Sequence, residues 1–115
     1  MTAAHIAAGK DAERTAAAFL QSRGLQVLAR NYRSRRGEID IVAEDGRTLV
    51  FVEVRRRKRL TDAAESIDGR KRARLTAAAA QYLADGDSRP CRFDAILVDA
   101  NNSVRWLRAA FDAAE

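Results

Sequence analysis

Cysteine, proline, histidine and tryptophan each occur once in the 115 residues, and glycine six times. A single cysteine, Cys91, excludes an internal disulfide, and its expected place is a small buried or half-buried position. The one histidine, His5, has no second ligand beside it, which argues against a zinc site. So little proline and glycine leaves no low-complexity linker and no domain boundary. No internal repeat is visible. No apolar run is long enough to span a bilayer, and no signal-peptide pattern opens the chain, although MTAAHIAAGK is alanine-rich. The expected location is therefore the cytoplasm.

Charge is abundant. Lys and Arg number 21 against 16 Asp and Glu, for a net charge of +5. Most of the cations fall in three clusters: Arg30, Arg33, Arg35 and Arg36; Arg55 to Arg59; and Arg70 to Arg74. Clustering of this kind fits a polyanionic partner, nucleic acid first. The length suits one domain, expected over residues 9–115 behind a loose leader at residues 1–8.

Periodicity supplies the elements. From about Gly9 to Arg23 the chain reads as a helix closed by Gly24, with Ala12, Ala16, Phe19 and Leu20 as its apolar stripe and Glu13 on the border. LQVLARNYR reads as a strand, and a hairpin follows. Thr61 to Ile67 is irregular or a short helix. Asp68 suits the N-cap of a helix through Ala84, with Leu75, Ala78, Ala79, Tyr82 and Leu83 facing inward. CRFDAILVD and VRWLR read as strands around a turn at Asn101-Asn102, and AAFDAAE as a last helical turn. The order is αβββαββ, an α/β sandwich with a mixed sheet. Its long helix allows a crossover into a parallel strand.

The hairpin carries the chemistry. Residues 37–59 read GEIDIVAEDGRTLVFVEVRRRKR. Asp45-Gly46 between alternating apolar runs points to a two-residue type I′ turn. That register sets Ile41 against Val50, Asp40 against Phe51 and Glu38 against Glu53. Ile39, Ile41, Ala43, Val50, Val52 and Val54 then form a core face, and Glu38, Asp40, Glu53 and Arg55 share the other. Carboxylates in apposition need a positive partner. Arg55 could supply it, and so could a divalent cation, for which oxygen-only ligands favour Mg²⁺ or Mn²⁺ over zinc. A plain solvated face, its acids paired with Arg36 and Arg55, accounts for the same residues. Phe93 and Phe111 read as core, Tyr32 and Trp106 as packing residues with base stacking as the alternative, and Arg92 with Asp94 as a local ion pair.

Four stretches, GKDAE, RNYRSRRGEIDIVAEDG, LVFVEVRRR and CRFDAILV, closely resemble the YraN family of small bacterial proteins, over Gly9 to about Phe111. The resemblance implies a restriction-endonuclease-like fold, similar in plan to archaeal Holliday-junction resolvases. It further implies metal-dependent phosphodiester chemistry on DNA, branched or flapped, with catalytic positions at Glu13, Asp40, Glu53 and Arg55. Asp40 and Glu53 would hold Mg²⁺ or Mn²⁺, and Glu13 would reach the ion, through water or directly. Glu38 would support these ligands from behind, or else be an exposed acid at the strand end. Arg55 departs from the acid-x-Lys pattern of such nucleases: a guanidinium stays protonated and cannot be a general base, although it can grip a phosphate. A non-catalytic nucleic-acid-binding module on an inherited nuclease scaffold is therefore the alternative. Arg33, Arg35, Arg36, Arg56, Arg57, Lys58 and Lys71 are the candidate nucleic-acid contacts. A homodimer is an open partner, because resolvases pair to cut two strands.

Overall fold

The computed structural model describes residues 3–86 and 88–111, with the side chains before Asp11 and that of Asp85 left aside. Five strands form one mixed sheet in the order β1-β2-β3-β4-β5. They are β1 (Gln26–Arg33), β2 (Glu38–Asp45), β3 (Thr48–Arg56), β4 (Cys91–Val98) and β5 (Val104–Phe111). Only β3 and β4 run parallel, and the crossover that a parallel pair requires contains α2 (Leu60–Glu65) and α3 (Gly69–Tyr82). With α1 (Ala3–Ser22) leading, the chain has the expected restriction-endonuclease-like αβββαββ plan.

The helices form where capping and apolar spacing place them. Gly24 takes a φ of 89° and the Leu25 N–H returns to the Leu20 carbonyl, closing α1. The Asp68 carboxylate accepts the Lys71 N–H at the head of α3. Ala12, Ala16 and Leu20 of α1 pack on Ile41, Val50, Val52, Val54 and Ile96. On the opposite face Leu75, Ala78 and Ala79 of α3 cover Val42, Leu49, Phe51 and Phe93. The central strands are thus apolar on both sides, as expected of a sheet sandwiched by helices.

Five expectations need correction. The leader is helical from Ala3, as alanine's propensity allows; Met1, Thr2 and the His5 side chain lie outside the described residues. Residues 109–111 extend β5 and are not helical, with Ala109 at a φ of 49° beside a register shift; residues 112–115 lie outside the described residues. Cys91 is exposed at the start of β4.

The hairpin turns at Gly46-Arg47 and not at Asp45-Gly46, since Asp45 pairs with Thr48. Gly46, at φ 60°, is the first central residue, which matches a type II′ turn in place of type I′. Every pair therefore moves by two residues: Ile41 faces Val52 and Ala43 faces Val50. A shift of two preserves the faces. Finally, Ile39 leaves the face of Ile41 and joins Val42 and Phe51 under α3. The break in alternation lies beside Asn31 of β1, which has a φ of 55°, a left-handed conformation that asparagine tolerates better than most residues.

Candidate active site

The acids gather at the end of the hairpin away from the turn, close enough for the Asp40 charge to raise Glu53. The regular β2–β3 pairing stops at Ile41–Val52, and Asp40 Oδ2 accepts the Val54 N–H at 2.8 Å. A carboxylate thus occupies the place where a backbone carbonyl would have continued the ladder. Glu53, 8% exposed, accepts a 2.8 Å charge-assisted bond at Oε1 from Nη2 of Arg55. Arg55 Nε is buried without a hydrogen-bond partner among the described residues, a donor still in want of an anion.

Burial gives these acids their character. Desolvation, above all, raises the Asp40 carboxyl from 3.8 to about 6, with the Val54 N–H and Arg55 opposing and Glu13 and Glu38 adding to the rise. Glu53 rises from 4.5 to about 8, through desolvation first and the Asp40 charge second, against the pull of Arg55 and Lys71. The two titrate as a pair. A plain solvated face does not describe them: the acids are sheltered, and Arg36 pairs with neither.

Glu13 is buried on α1, near enough to raise Asp40 electrostatically. Its Oε1 is occupied by Arg30 Nε at 3.0 Å and Asn31 Nδ2 at 3.1 Å. These two partners were not singled out from sequence; the only signal was a cation and an amide on the strand after the helix. Glu38 is exposed and lies 3.7 Å from Arg33 Nε, yet its charge reaches both Asp40 and Glu53. Lys71, in the first turn of α3, is drawn into the same group. Burial and the Arg55 charge lower its pKa, while Glu53 raises it.

The donor set fits a hard divalent cation through Asp40 and Glu53, because two desolvated carboxylates that repel one another are relieved by such an ion and Mg²⁺ commonly takes only one or two protein carboxylates. Among the described residues no three His, Cys, Asp or Glu side chains are grouped to hold a metal, and the Oε1 of Glu13 is engaged by Arg30 and Asn31.

The basic residues divide. Arg33, Arg35 and Arg36 lie exposed around the β1–β2 turn. Arg56 is fastened to Asn102 Oδ1 at 2.9 Å, and Arg57 Nη1 donates to the Arg56 carbonyl. Lys58 lies beyond β3 and is exposed. Tyr32 and Trp106 are packing residues: Tyr32 meets Tyr82 edge-on, and Trp106 packs on Phe19 and donates to buried Asp94. Arg92 Nε bonds Asp94 at 3.0 Å, as expected. Among the described residues no helix is long and apolar enough to cross a membrane.

Comparison with known proteins agrees with this plan. The profile described as "Uncharacterised protein family UPF0102" matches residues 12–98, which include all four candidate catalytic positions. A UPF0102 protein of Pseudomonas fluorescens (strain Pf0-1) is 49% identical over 116 residues, covering 95% of this chain and 96% of its own. One from Nitrosomonas eutropha is 50% identical over 107 residues, and one from Nitrosomonas europaea 51% over 110, each covering 90% of this chain and 92% of its own. The chain belongs to the UPF0102 (YraN) family of the restriction-endonuclease-like superfamily.

Proposed function

We propose that this protein is a divalent-cation-dependent nuclease acting on DNA, with Asp40 and Glu53 as the metal ligands. The observation that carries the reading is the sheltered, mutually repelling Asp40–Glu53 pair, with pKa values raised to about 6 and about 8, bordered by Arg55 and Lys71. Mg²⁺ or Mn²⁺ bound there would neutralise charge on a phosphate oxygen and make water more acidic.

The chain's own groups account for the remaining work. Arg55 is anchored to Glu53 through Nη2, which holds a guanidinium beside the acid pair to stabilise the added charge of the transition state. Because Arg55 cannot take a proton, we assign proton handling to the Nζ of Lys71, which is near enough to Glu53 for each to shift the other and whose own pKa is lowered by burial and by Arg55. Val54 holds Asp40 through its N–H, and Arg30 and Asn31 fix Glu13, whose charge raises the affinity of Asp40 for a proton or a cation. Arg33, Arg35, Arg36 and Lys58 are exposed cations for the phosphate backbone.

The test is cleavage of junction, flap and single-stranded DNA with Mg²⁺ or Mn²⁺. Cleavage that disappears with Asp40→Asn and falls at least about tenfold with Lys71→Met supports the assignment. Absence of cleavage across the panel, or cleavage that survives Asp40→Asn, refutes it. Arg55 in the lysine position favours one other reading, a non-catalytic nucleic-acid-binding module. DNA binding that is steeply salt-dependent and unchanged by Asp40→Asn, without cleavage, would select it.

A further inference from the structure

A second site lies beside the acid pair. The β1–β2 turn (Ser34 to Gly37) and α3 border an open pocket of about 260 Å³ lined by Arg33, Ser34, Arg35, Arg36, Gly37, Glu38 and Arg74. The lining contains four guanidiniums, one carboxylate and no aromatic or aliphatic residue. Glu38 lies 3.7 Å from Arg33. Among the described residues Arg35, Arg36 and Arg74 have no carboxylate within ion-pair distance.

The turn is rigidly seated. The Ser34 N–H donates to the Gly37 carbonyl at 2.8 Å, and the Arg36 N–H to Ser34 Oγ at 3.2 Å. A Cβ on Gly37 would stand 2.2 Å from the Arg74 carbonyl oxygen, so this position is glycine because the turn rests against the backbone of α3. That contact fixes the backbone of the turn against that of α3, so Arg36 and Arg74 line one space, and guanidiniums brought together by a rigid frame lose less on binding a phosphate.

We propose that this pocket binds the terminal phosphate of a nucleic-acid strand. The inference rests on the nucleic-acid reading above, though not on cleavage. Converging guanidiniums recognise phosphate through paired, charge-assisted hydrogen bonds. A terminal monoester carries roughly −1.5 to −2 charge near neutral pH, more than the single charge of an internal diester, and so offsets more of the excess of arginine. The volume falls below the roughly 300–1,000 Å³ of small-molecule clefts, and no aromatic platform is present for a base. The pocket thus suits the phosphate group alone. Glu38 joins the two sites, since it lines the pocket and its charge reaches Asp40 and Glu53. A strand end anchored here would lie alongside the acid pair, which makes strand ends the substrate class.

The test is fluorescence anisotropy in EDTA, which removes metal and cleavage from the readout. The probes are short single-stranded oligonucleotides with a 5′-phosphate, a 3′-phosphate or only hydroxyl ends. The expected result is about tenfold tighter binding of one phosphorylated form, the scale of one charge-assisted hydrogen bond. Exposed Arg74→Ala and Arg36→Ala should each erase that preference. Arg14→Ala, an equal loss of charge on the exposed face of α1, should keep it. Equal affinity for all three probes overturns the proposal, as does a preference that survives both pocket variants. Full displacement of the phosphorylated probe by an equimolar amount of inorganic phosphate also overturns it, because the ligand would then be a free phosphate. These outcomes are independent of the cleavage assay: loss of the end preference leaves a metal-dependent cut standing, and absence of a cut leaves the end preference standing.

Discussion

Replacing Asp40 by asparagine should stabilise the protein, and by an amount that depends on pH. Asparagine retains an oxygen for the Val54 N–H, now met by Asp40 Oδ2 at 2.8 Å, and removes a sheltered charge that repels Glu53. The native carboxyl titrates at about 6 against a reference of 3.8. Between these values the folded chain holds a proton that the unfolded chain has released, so the stability of the wild type falls as pH rises through the window. Asparagine does not titrate. Its advantage should therefore be near zero at about pH 3, open between about pH 4 and about pH 6, and widen further toward about pH 8, because loss of the Asp40 charge also lowers Glu53. At about 1.4 kcal/mol per decade of equilibrium constant, the Asp40 part is about 3 kcal/mol, and the share drawn from Glu53 adds to it because the two titrate together. Urea unfolding of both proteins at several pH values gives the difference directly from midpoints and slopes. A difference that does not change with pH, or an asparagine variant less stable at about pH 7, would refute the claim that Asp40 is strained by desolvation and like charge.

Two further outcomes test the frame around the site. Gly37→Ala forces a Cβ to within 2.2 Å of the Arg74 carbonyl and should cost about 2 kcal/mol or more in chemical denaturation; an unchanged midpoint would mean that the turn is not seated on α3. Asp94→Ala removes the acceptor for Arg92, the Trp106 indole and the Ala109 N–H from a fully buried position. It should destabilise by about 3–5 kcal/mol with a blue-shifted or red-shifted tryptophan emission, whereas a neutral effect would contradict the role of Asp94 as the anchor of the β5 bulge.

Much of this was legible because it follows from local rules. Leu75, Ala78 and Ala79 recur at helical spacing behind an Asp68 cap, and the structure buries them as a stripe. Ala12, Ala16 and Leu20 behave alike on α1. The turn was harder to place because an aspartate–glycine pair satisfies either of two hairpin geometries, with glycine second in type I′ or first in type II′. A choice between them moves the register by two and leaves the faces intact, so Asp40 still converged with Glu53. The left-handed backbone at Asn31 was invisible to alternation, since it is a single dihedral, and so was the break in β2 beside it that places Ile39 in the other core. Arg74 could not be placed in a pocket because its position depends on how α3 docks against Gly37, a tertiary contact without a pattern in the chain. The same holds for Arg30 and Asn31 on Glu13, seventeen and eighteen residues away in sequence.

The central claim is that Asp40 and Glu53 together form a cation site. Calorimetric titration of Mn²⁺ into the wild type, Asp40→Asn and Glu53→Gln at about pH 7, repeated in buffers of different ionisation enthalpy, tests it most directly. Because Glu53 titrates at about 8, the folded protein still holds a proton there that the ion must displace. The wild type should bind one Mn²⁺ with net proton release, and each variant should lose the binding by at least about tenfold. No binding to the wild type, or equal binding with no proton release in all three, would contradict the account.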